Sequence, residues 1–263
     1  MADAIGRVSG AASAVVIAVP LAAVLLRSAA RRRREAPLPA KPADHFWTNL
    51  TFGVRCGAAA TYMTAAPEAT VRGFLGAQGF GLLHWLGIAG WKNVVLSFVA
   101  LDLANCLNHW LFHQIPFLWR FHKVHHSDTH FDYSTFFRTH TGETVLDFLP
   151  GMLWIALLGP TMAATLSYEV FDRVWSQLQH SNVRLPARLE AALSRLILTP
   201  EKHFIHHSSD LIQTNSNYAT FFAWDKLIGT YRADDPATVV PGLLEHPEPH
   251  KLGFWALMAM PFR

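Results

Sequence analysis

Of the 263 residues, 51% are hydrophobic and only 16% are charged, well below the roughly 25% charged residues of an ordinary soluble domain. Nine Trp and 18 Phe accompany them, a composition that suits a bilayer and its interfaces. The formal charge is only +3, and no long basic run lies beside aromatic residues, which excludes a nucleic-acid partner.

The first element is the uncharged run between Arg7 and Arg27, VSGAASAVVIAVPLAAVLL, of about the length needed to span. Four arginines at 31–34 follow it. A cleaved signal peptide carries its positive charge before the apolar run. The order here predicts a membrane anchor whose C-terminal end is cytoplasmic, with a removed targeting segment as the alternative. APLPAKPAD (36–44) is a Pro-rich linker. Residues 46–66 form a second apolar segment, interrupted by Arg55 and closed by Pro67. The glycine-dense run 73–90, with His84 and Trp85 inside it, is expected to lie interfacially or to re-enter the bilayer.

Residues 93–113 predict a long apolar helix. Its polar residues Asp102, Asn105, His109 and His113 step by three or four and so share one face. An ionisable stripe on a membrane helix marks a functional site. Cys56 and Cys106 both lie in apolar segments and read as buried free thiols. Pro116 ends the helix, and 117–127 forms a short second one carrying His122, His125 and His126 at i, i+3 and i+4. The polar and aromatic stretch 131–143 is loop with a helical turn. Residues 145–158 and 161–174 make an apolar hairpin around Gly159 and Pro160; each arm is short for a full span, so a re-entrant or tilted pair is expected. Arg184, Arg188, Arg195 and Lys202 mark a solvent-facing amphipathic stretch. Thr199-Pro200-Glu201 is a helix start and sets His203, His206 and His207 on its first turns. The remainder is loop-rich, with NSNY (215–218), WDKLIGTY (224–231) and a tail holding Glu245, His246 and His250.

Two HxxHH clusters and one HxxxH point to a metal site. Neutral imidazole is a common ligand for iron, zinc and copper, and two ions would need roughly eight to ten donors. The chain offers nine: His109, His113, His122, His125, His126, His180, His203, His206 and His207. Leaving them unpaired in a membrane-bounded core would cost about 1 kcal/mol or more apiece. His45, His84, His130, His246 and His250 fall outside the spacing and are expected not to ligate. His180 stands alone in sequence. Two other classes compete: a histidine-rich membrane metal transporter or binding protein, which needs ligands along its spanning helices, and a bis-histidine haem protein, which gains nothing from HxxHH.

The segments DLANCLNHWLFH (102–113), LWRFHKVHHSD (118–128), FRTHTGE (137–143), QHSNVRLP (179–186), TPEKHFIHHS (199–208), SNY (216–218) and WDKLIGTY (224–231) resemble the fatty acid hydroxylase / sterol desaturase superfamily, in order, over about residues 95–232. The resemblance supports His180 as a ligand. It implies an integral membrane, non-haem di-iron oxidoreductase that uses dioxygen and two electrons to hydroxylate or desaturate a C–H bond of a fatty acid, sterol or related lipid. The cofactors it implies are two iron ions, with zinc as the substitute found on purification. Its partners would be a lipid substrate, the membrane and a separate electron donor, a small cytochrome or ferredoxin with its reductase. Supporting residues around the metals would be Asp102, His140, Glu143, Asn182 and Asp225, with Asp102 offsetting charge beside His109 and Glu143 accepting a ring N–H from His140. Trp110 stands where Arg is common and Thr141 where Pro is common, which leaves metal binding intact and the substrate class open.

The expected fold is therefore an all-α integral membrane protein, with transmembrane helices and a cytosol-facing helical cap that carries a multi-histidine dimetal site. Its expected divisions are an anchor and linker (1–44), a membrane helix with the Gly-rich segment (45–94), a catalytic domain (95–232) and a C-terminal tail (233–263).

Overall fold

The computed structural model describes residues 42–245 and 252–263. The N-terminal apolar run, the arginines at 31–34, most of the Pro-rich linker, His246 and His250 lie outside the described residues.

Four long helices set the architecture. The first, α1 (Pro42–Ala77), buries Asn49, Phe52, Cys56 and Ala60, which step by three and four along one face. Helix α1 packs along the fifth helix, α5 (Thr141–Leu158), while Phe52 and Cys56 of that face join Val124, Leu257 and Met260 in an apolar cluster. Gly53 lies in the same face, where an added methyl group would run into the backbone of Phe137. Between them come a one-turn helix α2 (Leu82–Trp85), the long helix α3 (Gly90–Gln114) and the short helix α4 (Pro116–His126). The sixth, α6 (Met162–Gln179), packs against α3. Short helices α7 (Ala187–Leu193), α8 (Pro200–His206), α9 (Leu211–Thr214), α10 (Asp225–Ile228) and α11 (Phe254–Ala259) follow. No β-strand forms among the described residues, only isolated bridges such as Ile197–Phe222.

Two helices, α3 and α5, are long and apolar enough to cross a membrane. On α5, Leu149, Leu153 and Leu157 are exposed; at i, i+4 and i+8 they form one apolar stripe turned away from the protein.

Two expectations need correction. Pro67 does not close the second apolar segment, because α1 continues to Ala77. Proline removes one backbone N–H and frees one carbonyl; here its ring is exposed, and the i,i+4 pair Glu68–Arg72 (2.7 Å) supports the turn that follows. The arms of the 145–174 hairpin are also longer than their apolar stretches, and the first is long and apolar enough to span. Each arm is an 18-residue helix, about 27 Å long, because helix continues beyond the apolar stretch at the histidine end. His140 caps the start of α5, its Nδ1 accepting from the Gly142 N–H at 2.8 Å, and α6 runs on to Gln179.

The chain ends of the four helices are pinned. At one end, buried Asp128 accepts from His45 Nε2 (2.9 Å), Asn49 Nδ2 (2.9 Å) and Thr135 Oγ1 (2.8 Å), fastening the start of α1 to the segment after α4. The His45 and Arg138 charges hold the Asp128 carboxyl well below the usual carboxylate range against the opposing effect of burial. At the other end, Gly81 and Gly159, both at positive φ, meet backbone to backbone, and a methyl group on either would collide with the facing segment. The Asn93 side chain there accepts from the Thr161 N–H at 3.0 Å. Thus α1 leads away from the histidine end, α3 returns, α5 leads away and α6 returns. Cys56 and Cys106 are buried free thiols.

Candidate metal centre

All nine candidate imidazoles, the eight singled out by spacing and His180 supported by the resemblance, converge at one end of the four helices. They form two adjoining groups: His109, His113, His122, His126 and His206 in one, and His125, His180, His203 and His207 in the other. Within each group one ring nitrogen from every residue lies within 4.8 Å of the others. The helical period sorts them. Residues at i and i+4 are about 40° apart on a helix, whereas i+3 falls on the other side of the first residue. Hence His109 with His113, and His122 with His126, stay together, while His125 turns to the second group. In the second HxxHH the sorting is reversed: His203 and His207 stay in the second group and His206 crosses to the first. The groups abut, with the His126 and His207 rings stacked at 4.5 Å between centroids.

Which nitrogen carries hydrogen follows from the partners. His109 Nδ1 lies 2.7 Å from the Tyr218 carbonyl, His206 Nδ1 2.6 Å from the Ser216 carbonyl, and His180 Nδ1 2.6 Å from the Ser176 carbonyl. A carbonyl only accepts, so each Nδ1 donates. His122 Nδ1 donates likewise to Glu143 Oε1 at 2.7 Å. In these four neutral rings the Nε2 atom is therefore a bare lone pair. Yet His109 Nε2 sits 3.1 Å from both His122 Nε2 and His206 Nε2, and His180 Nε2 lies 2.9 Å from His125 Nε2 and 3.1 Å from His203 Nε2. Lone pairs of His109, His122 and His206 aimed at one point repel unless a cation stands between them. Two nitrogen donors at right angles on an ion at ~2.1 Å are about 3.0 Å apart. The spacing fits a metal ion in each group.

Burial keeps the rings in the ligating, neutral form. It pushes His122 down to about 3 and His180 down to about 4, and lowers His125, His126, His203, His206 and His207 well below the ordinary histidine value. Both nitrogens of His207, Nδ1 of His125 and His203, and Nε2 of His113 are buried without a hydrogen-bond partner, so the donor set has capacity that the protein itself does not fill.

The surrounding residues differ from expectation in several places. Asp102 touches no histidine. It accepts from the N–H groups of Phe221 and Phe222 and from Trp224 Nε1 (3.2, 2.9 and 2.8 Å), because two turns of helix carry it about 10 Å from His109. Asp225 accepts from the N–H groups of Tyr218 and Ala219 and from Thr230 Oγ1 (2.8, 2.9 and 2.6 Å), so it makes no hydrogen bond to His109 and supports the segment whose Tyr218 carbonyl does. Glu143 serves His122 rather than His140. His140 stands outside both groups, among the rings of Phe52, Phe121 and Phe262. Asn182 lies in the connection after His180. His45, His84 and His130 belong to neither group.

The residues that sequence reasoning underrated are Ser216 and Tyr218, which act through backbone carbonyls. Between them Asn217 adopts a left-handed conformation (φ 54°), one that asparagine tolerates better than most residues. Its side chain donates to the carbonyls of Lys202 and Arg232 (3.0 and 3.1 Å) and accepts from the Arg232 N–H (2.9 Å). The turn aims its two flanking carbonyls at His206 and His109. The Ser-Asn-Tyr triplet was the available signal.

A cavity of about 270 Å³ opens against both groups, with His109, His122, His125, His180 and His203 in its wall alongside Phe112, Phe136 and Tyr218. A molecule there would reach both candidate metal positions.

Residues 94–230, more than half of the chain, match the family described as fatty acid hydroxylase. Among curated relatives, the chain is 30% identical to the ornithine lipid hydroxylase OlsE of Rhizobium tropici over 172 residues, 65% of this chain and 50% of that protein. It is 26% identical to the alkylglycerol monooxygenase of Homo sapiens over 174 residues, 62% of this chain and 36% of the relative. It is 29% identical to the cholesterol 25-hydroxylase of Homo sapiens over 147 residues, 53% and 51% of the two chains. The chain thus spans about half or less of the length of these relatives. No solved structure gives a significant match. By the extent of that match, with the histidine groups falling inside it, the chain belongs to the fatty acid hydroxylase family.

Proposed function

We propose that this protein is a membrane lipid hydroxylase whose nine imidazoles hold two iron ions. The observation that carries the reading is the convergence of bare Nε2 lone pairs into two abutting groups on one cavity. The iron pair, when bound, supplies activation of dioxygen, a redox step that these side chains cannot perform alone. The overall change consumes a C–H bond, dioxygen, two electrons and two protons and yields C–OH and water. A separate donor, a small cytochrome or ferredoxin with its reductase, provides the electrons.

The chain's own residues prepare the site. The carbonyls of Ser176, Ser216 and Tyr218 and the carboxylate of Glu143 hold Nδ1 protonated and each ring oriented, which is how outer partners tune a metal site. Phe112 and Phe136 line the cavity and exclude water from it. The relatives named above are hydroxylases or monooxygenases acting on ornithine lipid, alkylglycerol and cholesterol, so a lipid is the substrate class here. In this reading helices α3 and α5 cross the bilayer with the histidine end in the cytoplasm, a side that the exposed basic residues Arg120, Arg184, Arg188 and Arg195 support. Among the described residues the histidine groups lie at one end of the helices only, which does not make a transport path.

Metal analysis of the purified protein tests this: two irons per chain without a porphyrin spectrum are expected. Lipid extracts of cells with and without the gene should differ by a product carrying one additional oxygen atom. Zinc alone with no changed lipid, or a haem spectrum, would overturn the reading, and a product lighter by two hydrogens would make the enzyme a desaturase.

A further inference from the structure

A second cavity, of about 320 Å³, lies between α1, α3, α5 and α6, and its wall shares Asn105, Thr144, Asp147, Asp172 and Arg173 with the histidine cavity. The two spaces therefore meet at those side chains. Small-ligand sites run from roughly 300 to 1,000 Å³, so this volume suits a headgroup and not a whole lipid. Its wall is mixed: apolar side chains stand beside the charged Glu68, Arg72, Asp147, Glu169, Asp172 and Arg173, which hydrocarbon alone would leave unused.

The charges in the wall are not balanced. Arg72 is committed to Glu68 and Glu169, at 2.7 Å from each. Asp147 and Asp172 close no such salt bridge, although the Arg173 charge lies near enough to act on both; the amide N–H groups of Asn108 at 3.2 Å and Asn105 at 3.0 Å donate to them. An ionised carboxylate has about four acceptor sites. The structural aspartates of this protein fill theirs, with three donors each on Asp102 and Asp225. A separate observation points the same way. The Tyr168 hydroxyl, in the wall of the second cavity, is buried beside Asp102 and Asn105 but closes no hydrogen bond of good geometry on either, and a buried polar group left so costs about 1–3 kcal/mol. Trp154 and Phe148 add aromatic faces to the same wall, which attract a cation. Arg173 is exposed at the junction, where its charge acts on Asp147 and Asp172 without closing a salt bridge on either.

We propose that this second cavity is the binding site for the zwitterionic, amine-bearing headgroup of the lipid substrate, its ammonium on Asp147 and Asp172 and its anionic group on Arg173. The inference rests on the hydroxylase reading for what happens next: a headgroup held at the junction presents a carbon in or beside itself to the histidine cavity.

The test measures binding without turnover, on the full chain purified in detergent, by native mass spectrometry. The probes are short-chain phosphatidylethanolamine, its N-acetylated derivative, which keeps the phosphate but loses the positive charge, and glycerophosphoethanolamine, which lacks the chains. Phosphatidylethanolamine should bind about ten- to a hundred-fold more tightly than the N-acetyl lipid, the effect of one charge-assisted contact, and glycerophosphoethanolamine should bind far more weakly than either. Asp147→Asn and Asp172→Asn should each shrink that preference at least several-fold, while Arg173→Gln should weaken both phosphate lipids alike. Iron content measured on the same samples verifies that the variants fold. Equal binding of the amine and its N-acetyl form, a preference that survives both aspartate variants, or equally tight binding of the chain-free headgroup would overturn the proposal. Those results would leave the hydroxylase reading to its own metal and product analyses.

Discussion

At the scale of single residues, what separates one histidine from another is its Nδ1 partner and its neighbours. Glu143 and His140 are three apart in sequence, a spacing that predicts a pair, yet they do different things. Glu143 accepts the His122 Nδ1–H at 2.7 Å, whereas His140 caps α5 through Gly142 at 2.8 Å and packs on phenylalanines. Glu143→Gln should lower iron affinity about ten- to a hundred-fold, the usual effect of losing an outer partner. His140→Ala should retain both irons and instead lose about 1 kcal/mol of stability, as a missing helix cap does. Iron content and thermal unfolding of the two purified variants separate the effects; loss of iron on His140→Ala would make it a ligand.

At the scale of elements, the loop from Ser216 to Tyr231 functions as a clamp. Asp102 on α3 holds it through two backbone N–H groups and the Trp224 indole, and Asp225 holds its start. The turn at Asn217 then presents carbonyls to His206 and His109. Asn217→Ala removes three hydrogen bonds and forces a β-carbon-bearing residue without compensation into left-handed backbone, a strain of about 1–3 kcal/mol. Its unfolding midpoint should fall, and iron bound through the five-histidine group should become more labile. The two groups also differ between themselves. Rings of the first have outer partners at Tyr218, Ser216 and Glu143, while His125, His203 and His207 of the second have none on Nδ1. Titration with a chelator should therefore release the irons in two steps, the four-histidine group emptying first. His207→Ala should abolish the early step only. Simultaneous release of both ions would contradict this.

For the molecule as a whole, the pinned ends define a direction. The His45–Asp128 pair marks the histidine end, and the Gly81–Gly159 contact with the Asn93–Thr161 bond marks the other. If α3 and α5 cross the bilayer, the turn around α2 and the segment around α7 face opposite compartments. Cysteines placed at exposed Leu86 and exposed Arg188 should then label from opposite sides of sealed vesicles. A cysteine among residues 31–34 should label from the same side as position 188, because like-signed positive segments stay cytoplasmic. Labelling of 86 and 188 from one side would show that α3 does not span.

The sequence by itself determined which histidines could share a helix face, because i, i+3 and i+4 spacing is a property of the local backbone. It also determined where α8 begins, since Thr199 caps it with Pro200 at its first position and Glu201 behind. It did not determine how nine rings divide into five and four. That division depends on the relative placement of α3, α4, α6 and α8, which sends His125 one way and His206 the other. Nor did it show which groups hold the rings. The partners of His109 and His122 stand 109 and 21 residues away, and one of them is a backbone carbonyl that any residue type possesses. A stripe of polar residues on α3 read as one functional face; tertiary structure split it, giving Asp102 to the loop, Asn105 to the junction of the two cavities, and His109 and His113 to the metal group. Periodicity reports which side of a helix is buried. Only packing of the other helices against that side decides what each residue meets there.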